Sequence, residues 1–162
     1  MATQGPTINK PAARQSPAGT MSARARHIIA ATVTNLGTGA ALCTKTFPAR
    51  ADQVAQLRTV IKDTLTDHPA CDTVVLLASE LAGNAIRYSG SRFFAFTIAR
   101  THHGGLHAAI IDEGRTGFPH LKNEAADAEQ GRGMKIVDAL AERWGIIRHA
   151  DIGVAVWFEC TH

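Results

Sequence analysis

The spacing of apolar residues changes several times after residue 40, and each spacing predicts a different element. Residues 41–47, ALCTKTF, predict a short strand that ends at Pro48. Residues 50–66 predict an amphipathic helix, which ends before His68 and Pro69. The apolar residues at helical spacing in this segment are Val54, Leu57, Ile61 and Leu65.

A second helix is predicted to follow, with Asp72 as its N-cap and its end near Tyr88. Its apolar stripe is interrupted by Glu80 and Asn84. These two residues are four positions apart, about one helical turn, so they project from the same face. Such a pair is typical either of a solvated helix face or of a site for a cation and phosphate.

The second half of the chain predicts two hairpins with a loop and a helix between them. Residues 92–100 and 106–114 predict antiparallel strands joined by a glycine-containing turn. Residues 113–130 are polar and predict a long loop of the kind that often acts as a lid. The glycines of residues 131–133 open a third helix, and residues 144–160 predict the closing hairpin. The residues predicted to face inward from the third helix are Met134, Ile136, Val137 and Leu140.

The order of predicted elements is β, α, α, β, β, loop, α, β, β. Because the strands arrive mainly as hairpins, we expect an α/β fold: a two-layer sandwich whose mixed sheet is mainly antiparallel, with helices on one face. Residues 1–40 are rich in Ala, Thr, Gly, Pro and Ser without a sustained period. They predict a flexible N-terminal extension, with a short ordered piece around residues 28–33. Residues 41–162 are then a single domain.

The charge of the chain is unevenly distributed. The first 40 residues contain four basic residues and no acidic one, whereas the rest of the chain has 13 basic and 14 acidic residues. A nearly neutral domain argues against direct binding of nucleic acid.

Residues 24–43 are basic and then moderately apolar, but too polar to cross a membrane, and we expect a cytoplasmic protein. The cysteines form no paired motif, which predicts reduced and partly buried thiols at Cys43, Cys71 and Cys160.

Three stretches carry candidate chemistry, and each also has a plainer explanation. Asn84 can offer its carboxamide oxygen to Mg²⁺, and Glu80 can accept a proton from an attacking hydroxyl. Residues 112–117, DEGRTG, can accept a hydrogen bond from an exocyclic amine while glycines let a planar base approach, or they can form an acidic turn. Gly131 and Gly133 can expose backbone N–H groups to a phosphate, but they complete neither a Rossmann nor a P-loop pattern.

In this order and spacing, the stretches resemble the ATP-binding domain of the GHKL superfamily, which includes DNA gyrase and the sensor histidine kinases. The chain looks closest to the small stand-alone anti-sigma factor serine-protein kinases of Gram-positive bacteria and their actinobacterial relatives. The resemblance covers residues 45–160. The motifs that carry it are ELAGNAIRYS at 80–89, IDEGRTGFP at 111–119, GRGMKIVDALAERWG at 131–145 and VWFE at 156–159.

The resemblance implies a Bergerat-type ATP-binding fold and a role for each residue. Asn84 would bind the Mg²⁺ that bridges the ATP phosphates, and Glu80 would be the general base for a serine hydroxyl. Asp112 would receive the adenine amino group. Gly114 would let the ring sit close, and Gly117 is a further cofactor-binding residue.

The resemblance also implies how the phosphates are held. Gly131 and Gly133 would place backbone amides near them, and residues 115–130 would form a lid. Arg87 lies one turn beyond the metal ligand and either faces the phosphates or lies on the surface. One departure concerns the family's threonine just before the final VW, where this chain has Ala155, so the resemblance implies weaker nucleotide binding.

The implied function is that of an ATP-dependent serine-protein kinase. It would phosphorylate an antagonist protein and sequester a sigma factor, as a possible homodimer without direct contact to nucleic acid or membrane. A non-catalytic, nucleotide-responsive protein-binding module is the alternative. We further expect Trp144 and Trp157 to anchor the core. His102, His103 and His107 are expected to be exposed, since no metal-ligand spacing surrounds them.

Overall fold

The computed structural model describes residues 41–114, 128–149 and 153–161, together with the single positions 23, 26 and 39. In these ranges five strands and three helices follow the predicted order. The elements are β1 (Ala41–Pro48), α1 (Gln53–Thr64), α2 (Cys71–Tyr88), β2 (Phe93–Arg100), β3 (Leu106–Asp112), α3 (Ala128–Leu140), β4 (Arg143–His149) and β5 (Gly153–Cys160).

The five strands form one sheet in the order β1-β2-β3-β5-β4. All four pairings between these strands are antiparallel. The predicted α/β sandwich is therefore confirmed, and the sheet is antiparallel throughout the described strands. Two hairpins, β2–β3 and β4–β5, meet at the sheet centre because β3 and β5 pair with each other.

The main hydrophobic core lies between the sheet and the helices. The central helix α2 contributes Leu77 and Leu81, and α1 contributes Leu57 and Ile61. Alternate residues of the strands meet them, because successive side chains of a strand point to opposite faces. The largest fully buried strand residues in this core are Phe94, Phe96, Ile98, Leu106, Ile110 and Phe158.

The opposite face of the sheet, which we call the outer face, carries a second apolar cluster. Its buried members are Ala95, Ala109, Ile111 and Ala155, and the side chains packed against them are Phe93, Ile147 and Trp157. Among the residues whose side chains the structure describes, none from α1, α2 or α3 belongs to this cluster. In an antiparallel sheet with helices on one side, the other face commonly contacts water. The burial of these outer-face residues therefore differs from what a two-layer sandwich predicts.

The helices begin at other residues than predicted. The chain turns directly after Pro69, and the carbonyl of Ala70 accepts the first helical bond from Val74 N–H at 2.9 Å. The N-cap is therefore Ala70, and the prediction for Asp72 is wrong. Asp72 instead lies in the first turn of α2, where a carboxylate complements the helix dipole.

Two predictions about burial are also wrong. Leu140, at the end of α3, is 48% exposed instead of facing inward. His107 is only 2% exposed, because it lies on a central strand and its ring stacks on Trp157 at 5.3 Å between centroids. His102 and His103 are exposed as expected. Trp144 is half-buried and packs against the main core, and its indole N–H donates to the exposed Asp138 at 2.9 Å.

All three cysteines are free thiols, and Cys160 is the buried one. Burial raises the pKa of the Cys160 thiol to about 11, which makes it a poor nucleophile at neutral pH.

Among the described helices, none is both long and apolar enough to cross a membrane.

Candidate functional site

Glu80 and Asn84 lie at the middle of α2, on the side that is half-buried. Residues of the same helix that face the sheet, such as Leu77 and Leu81, are almost fully buried and fix how the helix is rotated. The predicted shared face is therefore present. It is a partly enclosed face and not a fully solvated one.

Helix α3 packs against this face, and Gly133 makes the close approach possible. A Cβ atom built on Gly133 would lie 2.9 Å from Glu80 Oε2 and 3.6 Å from Asn84 Nδ2. The first distance is too short for a real side chain unless the Glu80 carboxylate moves. Two of the predicted stretches, on α2 and α3, thus meet at these three residues.

Asn84 is held by Arg87. The Arg87 guanidinium donates a hydrogen bond from Nη2 to Asn84 Oδ1 at 3.3 Å, and it lies over the Tyr88 ring at 5.7 Å from the centroid. The oxygen that Arg87 contacts is the atom through which an asparagine binds a hard cation. Arg87 is exposed, so it can leave this oxygen without losing buried contacts.

Asp112 lies at the end of β3 and is 3% exposed. Its Oδ1 accepts a hydrogen bond from Gly114 N–H at 2.7 Å. Burial is the main cause that raises the pKa of Asp112 to about 6, and the nearby Glu113 adds to it, while the bond from Gly114 opposes it. A carboxylate held by one oxygen keeps the other available to an amino group.

Two glycines shape the surroundings of Asp112. Gly114 has φ +37°, a conformation that side chains rarely adopt, and this lets its N–H turn back onto the carboxylate. At Gly153, with φ +152°, a Cβ atom would lie 2.1 Å from the carbonyl oxygen of Asp112. Gly153 is not among the predicted site residues, although a glycine at the start of a strand is a signal for a close backbone approach.

The residue opposite Asp112 is Val154, which pairs with it between β3 and β5. Opposite residues of an antiparallel pair share one face of the sheet. Ala155 points to the outer face and belongs to the second cluster. The expectation that Ala155 removes a polar anchor for the nucleotide is therefore wrong, and the apolar residue beside Asp112 is Val154, which the motif comparison missed.

The remaining predicted residues lie at or beyond the edge of what is described. Gly117 and most of the predicted lid, residues 115–127, lie outside the described residues. Helix α3 begins at Ala128, three residues before Gly131. A role of residues 131 and 133 in holding phosphates remains a prediction.

The described residues suit a site for ATP and its Mg²⁺ better than a site where protein side chains alone bind a metal ion. Among them, no three His, Cys, Asp or Glu side chains are placed to share a metal ion. A Mg²⁺ that shares phosphate oxygens needs only one or two protein oxygens, and Asn84 Oδ1 is such an atom. The buried Asp112 carboxylate suits an exocyclic amine, and the space kept by Gly133 would be lost with any side chain.

Comparison with known protein families agrees with this geometry. The chain matches the family described as "Histidine kinase-like ATPase domain" over residues 47–159, a range that runs from the end of β1 to the end of β5. Comparison with curated proteins gave no match. The match includes Glu80, Asn84, Asp112 and Gly133, and an ATPase family implies that ATP is the nucleotide. The chain belongs to the histidine kinase-like ATPase domain family.

Proposed function

We propose that this protein is a cytoplasmic, ATP-dependent serine-protein kinase that acts as an anti-sigma factor. It phosphorylates a serine of a small antagonist protein and binds a sigma factor while the antagonist is inactive. The observation that carries the catalytic part is the position of Glu80, whose carboxylate lies beside Asn84 on α2 and against Gly133 on α3. A base next to a metal-binding oxygen is the arrangement that phosphoryl transfer needs.

Each residue has a separate task in this proposal. Asp112 would accept the adenine amino group, and Asn84 would hold Mg²⁺ through Oδ1. The Mg²⁺ ion would supply positive charge that offsets the negative charge of the phosphates. Arg87 donates to Asn84 Oδ1 in this structure, and its exposed guanidinium would donate to the phosphates in the nucleotide complex.

Glu80 accepts the proton of the substrate serine hydroxyl. The serine oxygen forms a bond to the γ-phosphorus. The bond between this phosphorus and the oxygen that bridges to the β-phosphate breaks, and its electron pair leaves with ADP. Positioned general bases contribute roughly 10²- to 10⁴-fold to the rate, so one half-buried carboxylate is sufficient for this task.

A non-catalytic, nucleotide-responsive binding module is the second candidate. The apolar Val154 opposite Asp112 favours it, because this residue supplies no hydrogen bond to the nucleotide. In this case ATP only shapes a surface for a protein partner, and Glu80 has no chemical task.

Two measurements on the same variants test both candidates. Calorimetry gives the affinity for Mg-ATP, and transfer of labelled γ-phosphate to a candidate antagonist gives the kinase rate. Glu80→Gln keeps the shape of the side chain and removes the base, so we expect unchanged affinity and a loss of transfer of about 100-fold or more. Asn84→Ala is expected to weaken Mg-ATP binding itself.

Asp63→Asn is the matched control, because Asp63 is an exposed carboxylate on α1. It should leave both measurements unchanged. Binding of Mg-ATP and of the partner without any transfer by the wild type would favour the module. Unchanged affinity in Asn84→Ala would overturn the assignment of the metal ligand.

A further inference from the structure

We propose that Ser91 is a positioning residue for the nucleotide site. Its hydroxyl replaces the last backbone bond between β2 and β3, and it thereby sets the turn that presents the Asp112 carboxylate. This role rests on the proposed function, because Asp112 is the adenine acceptor there. Ser91 lies in the connection between α2 and β2, and none of the motifs that carry the family resemblance includes it.

The Ser91 hydroxyl makes three hydrogen bonds to backbone groups. It donates to the carbonyl oxygen of Phe93 at 2.6 Å and accepts from the N–H of Glu113 at 3.3 Å. A longer bond, at 3.4 Å, comes from the N–H of Phe93. A hydroxyl offers one donor and two acceptor lone pairs, so these bonds use its full capacity.

The bond pattern between β2 and β3 shows what the hydroxyl replaces. Thr101 N–H donates to Gly105 O at 2.8 Å, and hydrogen-bonded pairs of antiparallel strands recur at every second residue. Phe93 lies eight positions before Thr101, and Glu113 lies eight positions after Gly105. The register of β2 and β3 therefore predicts a direct bond from Glu113 N–H to Phe93 O.

The other side of β2 gives the same result. Ala49 N–H donates to Arg92 O at 2.9 Å, so the carbonyl of Arg92 points towards β1. The backbone groups of the next residue, Phe93, then point towards β3. The register nevertheless ends one residue earlier, at the pair of Phe94 and Asp112. The Ser91 hydroxyl takes the place of the next bond and relays it from Glu113 N–H to Phe93 O.

This relay matters for Asp112 because it holds the central residue of the turn. Glu113 N–H bonds to Ser91, and the next N–H, that of Gly114, bonds to Asp112 Oδ1 at 2.7 Å. A direct bond from Glu113 to Phe93 would instead continue β3. In a continued strand, Gly114 N–H would point to a neighbouring strand and not to the Asp112 side chain.

The same connection also holds the end of α2. Ser89 N–H donates to Ala85 O at 3.1 Å, and Ser91 N–H donates to the buried Ser89 Oγ at 3.0 Å. Asn84 lies on this last part of α2. A short series of bonds thus joins the helix of the proposed metal ligand to the turn of the adenine acceptor. Ser91 therefore fixes where the two ends of one nucleotide are held relative to each other.

Three substitutions separate this role from a general loss of stability. Ser91→Ala removes the relay, and Ser91→Thr retains the hydroxyl. Thr97→Val is the matched control, because it removes a hydroxyl from β2 that bonds to Thr44 Oγ1 at 3.0 Å, on the side of β1. Thr97 pairs with Ala109 on β3 and lies away from the Asp112 turn.

The first readout needs no nucleotide. Carbon-13 NMR of the carboxyl group gives the pKa of Asp112, which burial raises to about 6 while the bond from Gly114 opposes the rise. Loss of that bond in Ser91→Ala should raise the pKa further. Ser91→Thr and Thr97→Val should keep the wild-type pKa, and the neighbouring Glu113 is the same in all these proteins. An unchanged pKa in Ser91→Ala would overturn the inference.

The second readout is the choice of nucleotide, measured by calorimetry with Mg-ATP and with Mg-GTP. We expect Ser91→Ala to bind Mg-ATP roughly two- to tenfold more weakly, which is the effect of one lost hydrogen bond, and to discriminate less against GTP. Ser91→Thr should restore both properties.

The outcomes distinguish this role from the proposed function. If Ser91→Ala is less stable but keeps its affinity and its discrimination, Ser91 only holds the fold and the inference is overturned. If the wild type binds neither nucleotide, the proposed function fails, while the pKa of Asp112 still tests the relay.

A measurement on the wild type covers the case that Ser91→Ala does not fold. Glu113 follows the last residue of β3, and its N–H should be protected from exchange with deuterium by the bond to Ser91. Exchange at Glu113 should be much slower than in the unfolded chain. Exchange as fast as in the unfolded chain would contradict the relay without any variant.

Discussion

At the scale of single residues, Asp112 is subject to two opposing demands. Burial favours its neutral form and raises its pKa to about 6. The ionised form is the stronger acceptor for an adenine amino group, because both of its oxygens accept and neither carries a proton. At neutral pH the carboxyl is mainly ionised, so the folded protein holds a charge that costs stability in order to provide an acceptor.

Asp112→Asn should therefore make the protein more stable and bind ATP less well. The pKa rises from 3.8 to about 6 on folding, so this residue stabilises the fold most below pH 4. That contribution is lost as the pH rises through 6. At 1.36 kcal/mol per pKa unit, the loss approaches about 3 kcal/mol at pH 8. Urea unfolding at pH 4 and pH 8 measures most of this loss. An advantage of the variant that does not grow with pH would contradict this explanation.

Val154→Thr should strengthen ATP binding. The two side chains have nearly the same shape, and the new hydroxyl would lie opposite Asp112, where it can bond to the carboxylate or to the nucleotide. One added hydrogen bond of about 0.5–1.5 kcal/mol corresponds to roughly two- to tenfold higher affinity. Calorimetry with Mg-ATP measures this, and Ala155→Thr on the outer face is the control that should show no gain. Equal effects at both positions would refute the assignment of faces.

At the scale of elements, the position of the Glu80 carboxylate between α2 and α3 depends on the absence of a side chain at Gly133. A methyl group at residue 133 would meet the carboxylate of Glu80 and not the backbone of α2. A carboxylate at the end of a flexible side chain can move aside, so the two helices can stay together. The expected effect of a methyl group at residue 133 is a displaced Glu80 carboxylate.

Gly133→Ala should consequently leave the stability of the fold nearly unchanged and lower the rate of phosphate transfer. Replacing glycine by alanine within a helix favours folding by up to about 1 kcal/mol, which offsets the crowding. Phosphate transfer, or slow hydrolysis of ATP, should decrease because Glu80 is displaced. Thermal unfolding and turnover are compared with those of Lys135→Ala, an exposed change on the same helix. A large fall in the melting temperature of Gly133→Ala, with normal turnover, would contradict this prediction.

The elements and their order could be predicted because apolar spacing differs clearly between helices and strands. The shared face of Glu80 and Asn84 followed from helical geometry alone. It was harder to predict which face of the sheet each strand residue points to, because a shift of one residue in register reverses the two faces. For this reason Ala155 was assigned to the nucleotide side and Val154 was overlooked. His107 was expected to be exposed because the sequence pattern of a central strand does not reveal that both of its faces are covered.

At the scale of the whole molecule, a bound nucleotide should stabilise the fold through linkage. Mg-ATP at 100 times its dissociation constant should add about 2.7 kcal/mol to the free energy of unfolding. GTP should add much less, because it has a carbonyl where ATP has an amino group, and a carbonyl repels the Asp112 carboxylate. Thermal unfolding with each nucleotide measures the difference, and equal stabilisation by both would argue against Asp112 as the residue that selects the base.

The strand order has a consequence for how the molecule avoids aggregation. Among the described strands, β1 and β4 lie at the edges of the sheet, where unpaired backbone groups can recruit another chain. Both edges carry features that oppose such recruitment: Lys45 and Pro48 on β1, and Arg143 and Arg148 on β4. Lysine, arginine and proline at the edges of a sheet oppose edge-to-edge pairing, so extension of the described sheet by a second copy is unfavourable.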